Sequence, residues 1–106
     1  MRLVNEQTIS EMTQRLAQEL KPNRIILFGS RAGGTALPTS DVDLFVIVPR
    51  NHETDLQRTL RAHRCLRDFD VPKDVVIRTQ EDFDRYGSVI GSLEHHVLTH
   101  GRVLYG

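Results

Sequence analysis

Residues 24–48 read RIILFGSRAGGTALPTSDVDLFVIV, and this stretch decides the fold. Arg24–Phe28 is short, apolar and rich in β-branched residues, the composition of a buried strand rather than a helix. The chain then enters residues 29–40, where three glycines and a proline predict a loop containing at most one helical turn. Val42–Val48 is nearly continuous in apolar residues, as expected of a strand covered on both faces of its sheet, and Pro49 ends it. Two strands joined by a glycine-rich loop are the frame around which the rest must pack.

Working outward, Ile9, Met12, Leu16 and Leu20 recur at spacings of three and four, which predicts a helix over about 9–20. Thr8 and Glu11 have the spacing of a capping box at its start, and Pro22 closes it. On the other side, Asn51 or Thr54 can cap a helix over 55–69. Its apolar face would hold Leu56, Leu60, Ala62, Leu66 and Phe69, while Arg58, Arg61, Arg64 and Arg67 slant across the opposite side. Val71-Pro72 breaks that helix, and Asp74–Ile77 reads as a third strand. A short helix from Thr79 to Tyr86 follows, then a last helix over 88–100 burying Val89, Leu93 and Val97. Gly101 suits its C-terminus and Val103–Tyr105 reads as an edge strand. Strands alternating with helices predict an α/β fold, a small mixed β-sheet packed with helices.

Composition bounds the function. The chain has 106 residues, enough for one core, so residues 1–106 read as a single domain. Its 14 basic and 14 acidic groups are spread evenly, six and five in residues 1–50 and eight and nine in residues 51–106. Zero net charge argues against a protein that holds nucleic acid directly by electrostatic bulk. No apolar run approaches the roughly 18 residues that span a bilayer, and MRLVNEQTIS has no signal-peptide pattern. A single cysteine, Cys65, fits a reducing compartment, so the expected location is the cytoplasm, with no membrane partner.

The chemistry concentrates in Gly29-Ser30, ten intervening residues, and Asp41-Val42-Asp43. A strand delivers the chain to Gly29, where small residues permit a tight turn and close approach of a ligand to backbone N–H groups. The Ser30 hydroxyl can hold a phosphate oxygen. Asp41 and Asp43 are two apart at the head of a strand, so their carboxylates point the same way. Such a pair repels itself unless neutralised, and Mg²⁺ is the natural counterion. Asp74 opens the next strand and would join them if that strand is a neighbour. Three carboxylates could hold two ions about 4 Å apart across a reacting phosphoryl group. The loop is neither a Walker A motif nor a dinucleotide fingerprint, since it lacks both spacings.

The run GSRAGGTALPTSDVDLFVIV resembles the signature of the DNA polymerase β-type nucleotidyltransferase superfamily, specifically its minimal nucleotidyltransferase (MNT) branch. Asp74 in PKDVVIRTQEDF matches that family's third acid, and the closing GRVLYG is similar to the usual end of these small proteins. The resemblance implies that Gly29, Ser30 and Arg31 contact the nucleoside triphosphate, and that Asp41, Asp43 and Asp74 are the catalytic, Mg²⁺-binding acids. It implies transfer of a nucleoside monophosphate to a hydroxyl with release of pyrophosphate. It further implies an antitoxin of the HEPN/MNT toxin–antitoxin type, placing AMP from ATP on a tyrosine of an all-helical HEPN toxin. One departure stands out: the family loop commonly reads Gly-Ser-Arg-Ala-Arg-Gly, and Gly33 replaces its second arginine.

Two other functions compete with this one. A non-catalytic antitoxin could neutralise a partner by covering it, through the arginine ridge of Arg58, Arg61, Arg64 and Arg67. A small-molecule enzyme of the aminoglycoside type would need a second domain to shape its acceptor pocket. A homo-oligomer is compatible with the sequence. His96 and His100 are four apart, but Val97 stands where the zinc motif needs glutamate, so no zinc site is expected. His63 reads as half-buried, Cys65 as core filler, and Phe83 with Tyr86 as anchors of the short helix.

Overall fold

The computed structural model describes residues 4–37 and 39–106; Met1–Leu3 of the N-terminal reading, and Pro38 of the predicted loop, lie outside the described residues. Helix α1 spans Glu6–Leu20, starting nearly a turn before the expected residue. Its cap is Asn5, whose side-chain oxygen accepts from the Thr8 backbone N–H at 2.9 Å and from the Thr8 hydroxyl at 3.0 Å. The Thr8–Glu11 box is thus corrected: Thr8 is a donor inside the first turn. Val4 and Ile9, flanking the cap, are buried in one cluster, the arrangement of a hydrophobic staple. Lys21 ends α1 in the left-handed region at φ 48°, its N–H donating to the Ala17 carbonyl.

The next elements form where the sequence places them: β1 (Arg24–Phe28), a single-turn α2 (Ser30–Gly33) inside the loop, and β2 (Val42–Val48). Helix α3 is shorter than expected, Asp55–Cys65. Thr54, not Asn51, caps it in a reciprocal box with Gln57. Then come β3 (Lys73–Thr79), α4 (Gln80–Tyr86), α5 (Leu93–His100) and β4 (Arg102–Tyr105). The expected helix over 88–100 loses its first turn because Gly91 takes φ 92° and Ser92 caps a new start, accepting from the His95 N–H. Val89 and Leu93 are consequently exposed, and of the three expected core residues only Val97 is buried.

The sheet has the order β3-β2-β1-β4. β1 is antiparallel to both β2 and β4, and β2 is parallel to β3, so the sheet is mixed. Side-chain alternation divides the core in two. One face joins Ile25, Leu27, Leu44, Val46, Val75 and Ile77 to α1 and α3. The other joins Ile26, Phe45 and Ile47 to Phe83 of α4 and Val97 of α5.

The face presented by α3 differs from the reading of its sequence. The buried stripe runs through Arg58, Ala62 and Leu66, spaced by four, while Leu56 and Leu60 are 68% and 51% exposed. Arg58, only 4% exposed, bonds the Asp55 carboxylate at 2.8 Å and the Asn51 side-chain oxygen at 3.1 Å. Arg61 pairs with Glu53 and Glu19. The four-arginine ridge is therefore corrected to two arginines paired within the chain, Arg58 and Arg61, and two outward ones, Arg64 and Arg67. His63 is exposed rather than half-buried, and Tyr86 is exposed while Phe83 anchors α4 alone.

Candidate active site

Asp43, the second residue of β2, pairs in register with Phe28 on one side and Asp74 on the other. By strand alternation Asp43 and Asp74 lie on the sheet face that carries Phe45, and Asp41 follows the same period. The three predicted acids thus meet at one end of the sheet. Gly29, directly after Phe28, turns the chain over them. Its backbone has φ 75° and ψ −157°, a region open essentially to glycine alone. A methyl group there would sit 2.2 Å from the Asp43 Oδ2. Both reasons for glycine, conformation and close approach, therefore hold at this one residue.

Ser30 opens α2, which no side chain caps; the Gly29 carbonyl accepts from the N–H groups of Ala32 and Gly33. Arg31 folds back onto its own loop: Nε and Nη2 donate to the Ser40 carbonyl at 3.1 and 2.7 Å. The Leu37 N–H donates to the Ser40 hydroxyl and the Ser40 N–H to the Leu37 carbonyl. This compact turn immediately precedes Asp41. A Cβ at Gly33 would meet nothing within 4 Å.

Asp41 and Asp74 are exposed and Asp43 is half-buried. Burial, then the charges of Asp41 and Asp74, hold the Asp43 carboxyl above its usual range. The donors are hard oxygens whose mutual repulsion a divalent cation would relieve. Among the described residues, no group of three or more His, Cys, Asp or Glu side chains is gathered tightly enough to hold a metal by itself.

Sequence reading overlooked the wall behind the acids. Phe28 packs edge-on against Phe45 with ring centres 6.2 Å apart, and Phe45 against Phe83 at 5.7 Å. The signal was available: Phe28 immediately precedes the glycine turn. Lys73, beside Asp74, is no site group, since its ammonium donates to the carbonyls of Phe69 and Val71. Away from the acids, the His95 ring bonds the Gly87 carbonyl, while the His96 and His100 rings stack 4.8 Å apart. Cys65 is half-buried, and burial pushes its thiol up. A groove of about 560 Å³ runs between α1 and β4 and contains none of the three acids.

No helix of the described residues is long and apolar enough to cross a membrane. No curated protein sequence matches the chain. Solved structures similar in fold include these two. One is a candidate nucleotidyltransferase from Sulfolobus solfataricus, 22% identical with a TM-score of 0.60, covering 74% of this chain and 70% of that one. The other is a toxin–antitoxin structure with AMP-PNP, 25% identical with a TM-score of 0.65, covering 92% of this chain and 73% of that one. Residues 9–99 match the nucleotidyltransferase domain, a span holding the glycine turn and all three acids, and so the chain belongs to the nucleotidyltransferase domain family and is an enzyme of that class.

Proposed function

We propose that the chain is an Mg²⁺-dependent protein adenylyltransferase. It acts as one domain in the cytoplasm, moving AMP from ATP onto a tyrosine hydroxyl of an all-helical HEPN toxin and so serving as the antitoxin. The observation that carries this reading is the Gly29 backbone pressed against Asp43 beside Asp74. That arrangement suits a triphosphate lying over a glycine turn with carboxylates beneath it. The likeness to a toxin–antitoxin structure with AMP-PNP supports the nucleotide and the kind of partner.

In this reading Gly29 lets the triphosphate approach the main chain, and the Ser30 hydroxyl donates to a phosphate oxygen. Arg31 keeps the loop folded so that Asp41 stands beside Asp43. Asp74, at the exposed edge, accepts the proton of the incoming hydroxyl. The acceptor oxygen then bonds to the α-phosphorus, the bond from that phosphorus to the bridging oxygen breaks, and pyrophosphate leaves with the electron pair. Bound Mg²⁺ would supply Lewis acidity and offset the charge of the triphosphate. The acids lie at an open sheet end, which suits an acceptor presented by another macromolecule.

The test is incubation with ATP labelled at the α-phosphate, Mg²⁺ and the co-expressed partner. Label should appear on the partner and vanish on adding EDTA or on changing Asp41 and Asp43 together to alanine. Transfer that survives the double substitution sinks the reading. A partner silenced without ever being labelled would establish the covering antitoxin instead.

A further inference from the structure

We propose that the outer face of α3 is a docking surface for an acidic amphipathic helix of a partner protein. The face is built from Leu56, Leu60 and Arg64, with Arg67 in the turn that follows the helix. Leu56, Leu60 and Arg64 follow one another at intervals of four, so they form one stripe of the helix. The two leucines are 68% and 51% exposed, although the helix has a separate buried stripe for its own packing. Beside them runs a groove of about 330 Å³ lined by His52, Glu53, Gln57, Leu60, Arg61 and Arg64, in which Glu53 is paired with Arg61 and Arg64 is the guanidinium left over.

Charge decides what fits there. Arg15, Arg50, Arg58, Arg61, Arg78 and Arg102 each pair with a carboxylate of this chain. Arg64 and Arg67 have no side-chain bond or ion pair among the described residues, and both are exposed. Two uncompensated guanidinium groups next to two bare leucines call for carboxylates flanking an apolar ridge. A nucleic-acid backbone would satisfy the arginines and leave the leucines against its phosphates, so a protein helix is the better complement.

Topology makes the position useful. β2 and β3 are parallel, and both begin at the end of the sheet that carries the acids. The helix joining them must run back toward that end, so Arg64 and Arg67 lie nearer the three carboxylates than Leu56 does. α3 packs on the sheet face opposite the one that carries the acids, so a partner helix seated on its outer surface would leave the mouth uncovered. This placement rests on the reading that a separate protein presents the acceptor.

The binding test is independent of transfer. A fluorescent synthetic helix with leucines at alternating third and fourth positions, flanked by glutamates, is titrated with the full chain. The controls are a scrambled peptide and one with lysine in place of glutamate. The acidic helix should bind at least ten times more tightly than the scrambled one. Arg64→Glu with Arg67→Glu should abolish that preference and transfer it to the lysine peptide, and Leu60→Ser should weaken binding of the acidic helix, all with thermal unfolding unchanged. Equal binding of scrambled and acidic peptides overturns the proposal, as does an unaffected double charge reversal. Tighter arginine-dependent binding of a single-stranded RNA oligonucleotide would overturn it in favour of nucleic acid. If transfer to the toxin fails while the peptide results hold, the adenylyltransferase reading falls and the docking face stands. If transfer proceeds in the charge-reversed chain with an unchanged KM for the toxin, the docking face falls alone.

Discussion

At the scale of single residues, the gathering of the candidate site was legible because it rests on a rare coincidence: a glycine turn, two acids two apart, and a third at a strand head. What the sequence could not supply was which atom forbids a side chain at Gly29. The answer is the Asp43 carboxylate, 2.2 Å from where a methyl would stand, combined with a backbone region closed to other residues. Gly29→Ala should therefore cost about 1–3 kcal/mol, read as a fall in Tm, and displace Asp43 enough to lose transfer about a hundredfold. Wild-type rates from the alanine variant would mean the turn is not where the nucleotide lies. The arginines invert the expectation drawn from pattern alone. Arg58→Ala removes a buried stem and two hydrogen bonds and should lower Tm by roughly 10 °C, about 2 kcal/mol, whereas Arg64→Ala should stay within about 0.5 kcal/mol of wild type. Parallel thermal melts check both, and equal effects would contradict the buried stripe.

At the scale of elements, all four strands and the whole of α4 were readable, while the starts of α1 and α5 and the end of α3 were not. Strands carried their own signal in short apolar runs, whereas the ends of α1 and α5 depended on competition between caps. Asn5 and Thr8 could each begin α1; Val4 settled the matter by being buried against the same core as Ile9, a tertiary effect no local pattern contains. The α3 stripe was misassigned because a hydrophobic tally ranks Leu56 above Arg58, while the packed helix buries the positions spaced with Ala62 and Leu66. The C-terminus of α1 carries a local strain that can be removed. Lys21 sits at φ 48° with its N–H on the Ala17 carbonyl, a position glycine occupies without penalty. Lys21→Gly should raise stability by about 0.5–1 kcal/mol, measured as a shift of the urea midpoint at constant slope; a lower midpoint would show that the lysine side chain outweighs the backbone strain.

For the whole molecule, the carboxylate just before α3 and the one at the head of β2 carry opposite pH linkages. The hydrogen bond from Arg61 holds the Glu53 carboxyl below its usual range, so its contribution is present above the unfolded value and is lost as pH falls through the folded one. Asp43 works the other way. Burial and the charges of Asp41 and Asp74 raise its carboxyl, so the folded metal-free chain loses stability as pH rises from the ordinary carboxylate range through the raised value. If Asp43 holds charge as the proposed function requires, it is a cost to the fold until that charge arrives. Asp43→Asn should remove that decline, raising the Tm of the metal-free chain by about 2–5 °C while abolishing transfer. Wild type with Mg²⁺ and a non-hydrolysable ATP analogue at about a hundred times Kd should gain roughly 2.7 kcal/mol, a rise in Tm of at least about 10 °C. EDTA should reverse the gain, and Asp43→Asn should show little of it. Differential scanning calorimetry of both chains, with and without the ligands, decides the matter. An equal ligand-induced shift in the asparagine variant would place the nucleotide somewhere other than over Asp43.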